Sequence, residues 1–180
     1  VALWVKVNPA AQVALESQAR PIVLLPVKDE HEKAIEAIAP GLNHLGFMLP
    51  YTPVHYLLFN ALKGGGTGSA WLDELHDIPL VVTSANLHGE PIIIDDGIAH
   101  KALHAIADRI VSYDRAIVTR VDDSVVRIIQ DAPMMIRRAR GWTPKAIPLP
   151  KEIPVTLALG GHLKNTFCIT RGKEAFVSQH

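Results

Sequence analysis

Cysteine is nearly missing from this sequence: Cys168 is the single one among 180 residues. A lone thiol excludes an internal disulfide framework and any cysteine-based metal cluster within the chain, and it fits a reducing setting. No apolar run approaches the ~20 residues that a membrane span needs. An excess of either charge is missing too, because 18 basic and 18 acidic residues leave a formal net charge of zero. Non-specific nucleic-acid binding rests on a broad basic field, so any anion site here has to be local. Aromatic residues amount to 6%, which also counts against a nucleic-acid surface. The start "VALWVKVNPAAQ" has no initiator Met, no basic leader and no small-residue cleavage site, so it is not read as a signal peptide. Internal repeats and low-complexity tracts are absent as well.

What remains is an ordinary globular composition, 48% apolar and 20% charged. The length suits one domain, or one with a piece of another. Asn8 before Pro9 marks a helix start, cap then first turn. "PIVLLPV" (21–27) reads as a strand and "DEHEKAIEAIAPG" as a short helix stopped by Pro40 and Gly41. "LGFMLPY" (45–51) reads as a second strand, and "TPVHYLLFNALK" as a helix with Thr52 at its cap and Pro53 in its first turn. "GGGTGSA" is a flexible connection, since a phosphate loop of the Walker type needs Lys-Ser/Thr closing the glycine run and Lys63 precedes it. "IPLVVTSAN" (78–86) reads as a buried strand ending in polar residues, and "RIVSYD" (109–114) as another strand. Between them Asp95 or Asp96 caps a helix. "SVVRIIQ" and "MMIRRAR" form hairpin arms around "DAP". Strands alternating with helices, then a hairpin, imply an α/β domain with a mixed sheet and flanking helices.

From Gly141 the character changes. Pro144, Pro148, Pro150 and Pro154 make residues 143–154 read as a stiff, irregular linker. "VTLALGG" and "TFCITRGKEAFVSQ" follow as strands, the latter turning at Arg171-Gly172-Lys173. One hairpin and a strand cannot hold a core alone, so the chain reads as a fragment of a longer one. Its divisions are a domain over 1–142, the linker 143–154 and the first strands of a second domain over 155–180.

Three groups of residues have chemical potential. Thr83, Ser84 and Asn86 leave the third strand at the edge where open α/β sheets bind ligands; hydroxyls and a carboxamide suit phosphate oxygens, a ribose or a base. The same residues are turn formers before Gly89 and Pro91. Arg120, Arg127, Arg137, Arg138 and Arg140 gather around the hairpin, with Ser124 at its start. Alternation sends Arg138 and Arg140 to one face and Arg137 to the other. Guanidinium forks suit phosphate or carboxylate, but Asp122 and Asp123 equally serve as their partners in ion pairs worth little. His100 and His104 share a helix face without a third metal ligand nearby, so they read as solvated and no metal site is assigned. His55 and His88 could border a pocket. Nucleophile elbows and paired catalytic carboxylates are lacking, which weighs against covalent catalysis.

"LGFMLPYTPVHYLL", "VVTSANLHGEPI", "DRAIVTRVDDSVVR", "IRRARGWTPKAIPLP" and "LALGGHLKNTFCITRGKEAFVSQH", in this order, resemble the HypF family of hydrogenase maturation carbamoyltransferases. The resemblance implies a YrdC-like twisted mixed sheet with flanking helices, then a β-hairpin beginning a carbamoyltransferase domain of the ASKHA type. It also implies that a "KPF"-type strand precedes Val1. The activity implied is formation of carbamoyl-adenylate from ATP and carbamate, the latter released from carbamoyl phosphate. Transfer to the C-terminal cysteine of a HypE-type partner follows, in the cytoplasm, with Mg²⁺ accompanying ATP. Carried onto this sequence, the nucleotide site comprises Thr83, Ser84, Asn86, Arg120, Ser124, Arg127, Arg138 and Arg140, with Tyr51 and His55 beside it. Lys164 and Asn165 would lie near a second nucleotide site. Acid, base and nucleophile are not assigned. Two other readings share the fold: a YrdC-type threonylcarbamoyl-adenylate synthase acting in tRNA modification, and an RNA-binding YrdC-like module. The proline-rich stretch and "LKNTFCITRG" favour HypF over the first, and neutral charge disfavours the second.

Overall fold

The structure is a computed structural model and describes residues 1–161 and 165–179. Helix α1 (Pro9–Glu16) begins as its sequence demands, with the Asn8 side chain accepting from the Ala11 amide. Strand β1 (Ile22–Pro26) follows, then a 3-10 turn, helix α2 (Glu32–Glu36) and strand β2 (His44–Phe47). Helices α3 (Pro53–Leu62) and α4 (Asp96–Leu103) lie in the long passage to the hairpin β3 (Val125–Ile129) and β4 (Ala132–Arg137). Asp95, of the two candidate caps, accepts from the Ile98 amide and starts α4.

These four strands form one mixed sheet in the order β2-β1-β3-β4. β1 runs antiparallel to β2 and parallel to β3, and β3 runs antiparallel to β4. In β1 alternate residues face opposite sides: Val23 and Leu25 are buried while Ile22, Leu24 and Pro26 are only half-buried. Ala11 and Leu15, four apart on α1 and so on one helix face, join Val23, Leu25, Val126 and Val5 in the core, with Trp4, Phe47 and Trp142 packed around it. The hairpin turns at Gln130 and Asp131, both with positive φ (49° and 59°). That is the primed turn whose twist matches the flanking strands, and it sits one step before the expected "DAP".

Several expectations need correction. Residues 78–86 form no strand: Val81 is 76% exposed and Val82 63%. Residues 109–114 form none either. β-branched composition makes a segment fit for a strand, but a strand exists only where another backbone pairs with it, and neither segment meets one among the described residues. Arg138 and Arg140 lie beyond the end of β4, so strand alternation does not order them.

Residues 143–154 are not wholly irregular, because β5 (Ile147–Ile153) lies there. It is an edge strand of a second sheet ordered β5-β7-β6, and an edge is where prolines are tolerated. Strand β6 (Leu157–Leu159) flanks the other side of β7 (Phe167–Val177). β7 does not turn at Gly172 but runs through it, pairing with β6 by its first part and β5 by its second. Gly172 takes φ 60° opposite Ile153, where the β5 register shifts; a glycine in such a conformation makes a bulge as readily as a turn. No helix among the described residues is long and apolar enough to cross a membrane.

Candidate functional site

Because β1 and β3 are parallel and β2 and β4 run against them, four chain ends meet at one edge of the first sheet. The chain enters β1 through Ala19 and Arg20 and enters β3 through Asp122, Asp123 and Ser124. It leaves β2 toward Tyr51 and leaves β4 toward Arg140. Ser124 is fully buried. Its Oγ accepts from the Ala139 amide at 2.8 Å and donates to the Arg140 carbonyl at 2.9 Å, while its own carbonyl takes the Ile22 amide at 2.8 Å. One hydroxyl thus ties the post-β4 loop to the start of β3.

The loop presents Arg140 inward. Its Nε donates to Asp123 Oδ1 at 2.7 Å, Nη1 to the Ala19 carbonyl at 2.8 Å and Nη2 to the Arg20 carbonyl at 2.8 Å. The guanidinium carbon lies 3.5 Å from the centroid of the Tyr51 ring, a cation–π distance. Three of five guanidinium N–H groups are engaged, which leaves two for a further acceptor. His55, in the first turn of α3, accepts from the Tyr51 amide at 3.4 Å, and the two rings meet edge-to-face at 4.8 Å. Tyr51, His55, Ser124 and Arg140 are therefore brought together.

Burial pushes the Tyr51 phenol above the usual tyrosine range; the Asp123 charge adds to this and Arg140 opposes it. A phenol with a raised folded-state value favours the protonated form. Its contribution to stability is intact below about pH 10 and is lost as pH climbs through the folded value. In an absorbance titration, the difference between the parent chain and Tyr51→Phe should show a phenolate forming above about 10. A midpoint at or below that value contradicts the geometry.

Thr83 and Ser84 are exposed and begin a turn. The Asn86 amide donates to the Ser84 carbonyl at 3.1 Å, and the Ile93 amide closes the loop on Ala85 at 2.9 Å. Asn86 Nδ2 donates to the Leu87 carbonyl at 2.9 Å, which fixes the amide's orientation. Its Oδ1 is then buried with no donor among the described residues. Arg120 Nε donates to the Ile92 carbonyl at 2.7 Å, so Arg120 belongs to this loop. Three steps along the chain separate Arg120 from Asp123, and at ~3.8 Å per step their Cα atoms lie within about 11 Å.

The remaining expected residues are placed elsewhere. Arg138 donates through Nη2 to the carbonyls of Trp142 (2.9 Å) and Lys145 (2.6 Å), and through Nη1 to Val177 on β7 (3.4 Å). Arg127 lies along β3, opposite Leu24, toward the other end of the sheet. Asn165 donates to the Gly161 carbonyl at 2.8 Å, and Lys164 lies outside the described residues. Both aspartates have arginines near: Arg137 and Asp122 stand 4.0 Å apart and Arg140 and Asp123 2.7 Å. The carbonyls of Ala19 and Arg20 escaped sequence reasoning, because backbone acceptors have no residue signature. Among the described residues no three His, Cys, Asp or Glu converge as a metal cage.

Residues 2–139 match the family model of Sua5, YciO and YrdC proteins, described as telomere recombination, and residues 151–180 match that of the HypF Kae1-like domain. Carbamoyltransferase HypF2 of Cupriavidus necator is 47% identical over 99% of this chain and 23% of its own length. Carbamoyltransferase HypF of Rhizobium leguminosarum bv. viciae is 46% identical over 96% and 22%. The chain thus spans less than a quarter of these relatives. Among solved structures, full-length HypF in the phosphate- and nucleotide-bound form superposes with a TM-score of 0.77 at 40% identity, over 98% of this chain and 26% of that one. HypF of T. kodakarensis gives 0.79 at 34% identity, over 98% and 21%. A Sua5/YrdC match followed by a HypF Kae1-like match, on a mixed α/β fold shared with HypF structures, shows that this chain belongs to the HypF family.

Proposed function

We propose that the sheet edge at Tyr51 and Arg140, with the adjoining loop at Asn86, binds ATP and joins it to carbamate. The observation that carries this reading is Asn86 Oδ1, a buried acceptor without a donor. A buried unpaired acceptor is costly, and a small shift of the loop that uncovers it would let the exocyclic amine of adenine or a ribose hydroxyl satisfy it. Thr83 and Ser84, exposed beside it, offer hydroxyls to phosphate oxygens. Support also comes from a 40% identical HypF whose structure is described as phosphate- and nucleotide-bound.

In the proposed reaction a carbamate oxygen attacks the α-phosphorus, the bond to the bridging oxygen breaks, and pyrophosphate leaves with the electron pair. Carbamoyl-adenylate and pyrophosphate account for all atoms. Arg140, held rigid by three acceptors, directs its two spare N–H groups at the oxyanion, and Arg120 stands within reach on the neighbouring loop. Preorganised cations of this kind stabilise developing charge without reorganising. Tyr51, kept protonated, serves as a neutral donor. His55 orients the ring. Arg138, engaged by carbonyls, positions the loop. Mg²⁺ commonly rides on substrate phosphates rather than in an all-protein cage; the described residues present no cage, and no step depends on it.

Within the whole enzyme the carbamoyl group, drawn from carbamoyl phosphate, would pass to the C-terminal cysteine of a HypE-type partner in the cytoplasm. Asn165 and Lys164 would serve a second nucleotide site. Calorimetry with ATP and Mg²⁺ tests the first step. Asn86→Ala and Ser84→Ala should each weaken binding about tenfold, or ~1.4 kcal/mol. Parent-like affinity in both variants, or none in the parent chain, removes ATP from this edge.

A further inference from the structure

A groove of about 310 Å³ lies at the opposite end of the first sheet, lined among others by Lys6, Asn8, Leu24, His44, Arg127 and Ile128. It opens where the parallel strands β1 and β3 end, at their carboxyl edge. Crevices outside the carboxyl ends of parallel strands are where open sheets take ligands. Three side chains able to carry positive charge line it, and no acidic residue does.

Arg127 is the centre of this group. It is exposed on β3 and forms no ion pair among the described residues. Among the described residues its one side-chain hydrogen bond runs from Nη2 to His44 Nε2 at 3.5 Å, at the outer limit of such a bond. His44 Nδ1 lies 2.7 Å from Asn43 Oδ1, and a carboxamide oxygen only accepts. In this orientation of the Asn43 amide, Nδ1 donates to it and Nε2 is left to accept from Arg127. The guanidinium keeps four N–H groups unspent. Lys6 pairs with Asp29 at 3.1 Å, but both side chains are mostly exposed. Such a pair is worth little, so the ammonium is available to a ligand in the groove.

We propose that this groove is a second anion site, separate from the Tyr51 edge, for a small organic phosphate. A guanidinium and an ammonium around one opening suit a dianionic phosphate. The walls of Leu24, Ile128 and Pro26 suit a short carbon body. The groove's volume, at the lower limit of ~300–1,000 Å³ for small-molecule sites, suits a small phosphate better than a nucleoside triphosphate.

The test is an NMR titration of the 180-residue chain with inorganic phosphate, with acetate and ATP as separate arms. Phosphate should shift the His44 ring signals saturably, and acetate should do so at least tenfold more weakly. Arg127→Gln should weaken phosphate about tenfold and Lys6→Gln severalfold, both changes being at exposed positions. Asn86→Ala should leave the phosphate response intact, so that failure of the ATP reading does not disguise failure here. An unmoved His44, or an Arg127→Gln chain that binds as the parent does, overturns the site. So does ATP saturating His44 at the same concentration at which it occupies the Asn86 loop.

Discussion

Gly141→Ala should lower stability by about 3–5 kcal/mol, the sum of a strained backbone and a forced overpacking. Gly141 takes φ 87°, a region where a side chain clashes with its own backbone. A Cβ there would also stand 2.5 Å from Ala19 Cβ and 2.7 Å from Ala19 Cα. Neither neighbour can step aside cheaply. The Ala19 and Arg20 carbonyls hold Arg140, and Ser124 fastens the loop from the other side. Urea unfolding of parent and variant measures the loss. A change below about 1 kcal/mol would mean that the loop after β4 shifts freely, and the rigid guanidinium on which the ATP reading depends would go with it.

The glycine was visible in "RRARGW", but its neighbour was not, since Ala19 lies 122 positions away. Local signals were legible elsewhere. Asn8 caps α1 and Asp95 caps α4 because a cap is decided within four residues. The hairpin between Ser124 and Arg137 was readable from two apolar runs and a polar break. Pairing was not. Residues 78–86 have the composition of a buried strand yet meet no pairing strand among the described residues, while the proline-bearing residues 147–153 are a strand because β7 is beside them. Composition shows what a backbone tolerates, and partners decide what it does. The candidate site follows the same division. Residue types in "TSAN" and "RVDDS" pointed to anion chemistry, and Tyr51, His55, Ser124 and Arg140 do converge. Charge pattern alone did not distinguish an arginine that faces a ligand from one that braces a loop, because backbone carbonyls compete for the same donors. Arg138 is the clearest case, with three carbonyls around it.

On the proposed reading Arg140 does both jobs, and its replacement separates them. Arg140→Ala should cost about 2–4 kcal/mol, since it strands the Asp123 carboxylate and two carbonyls that are partly shielded from water. ATP binding should fall below detection in the same variant. Arg140→Lys keeps the charge but offers a point in place of a planar fork, and one ammonium cannot reach Asp123, Ala19 and Arg20 in the directions that the guanidinium does. Lys should therefore restore less than half of the lost stability. The Tyr51 phenol supplies an internal control. Arg140 favours its ionisation, against burial and Asp123, so Ala should drive the phenol still higher, whereas Lys should leave it near the parent value. If Lys restores both stability and ATP affinity in full, charge alone is what this edge requires. The three-point bracing of the guanidinium would then be incidental to binding.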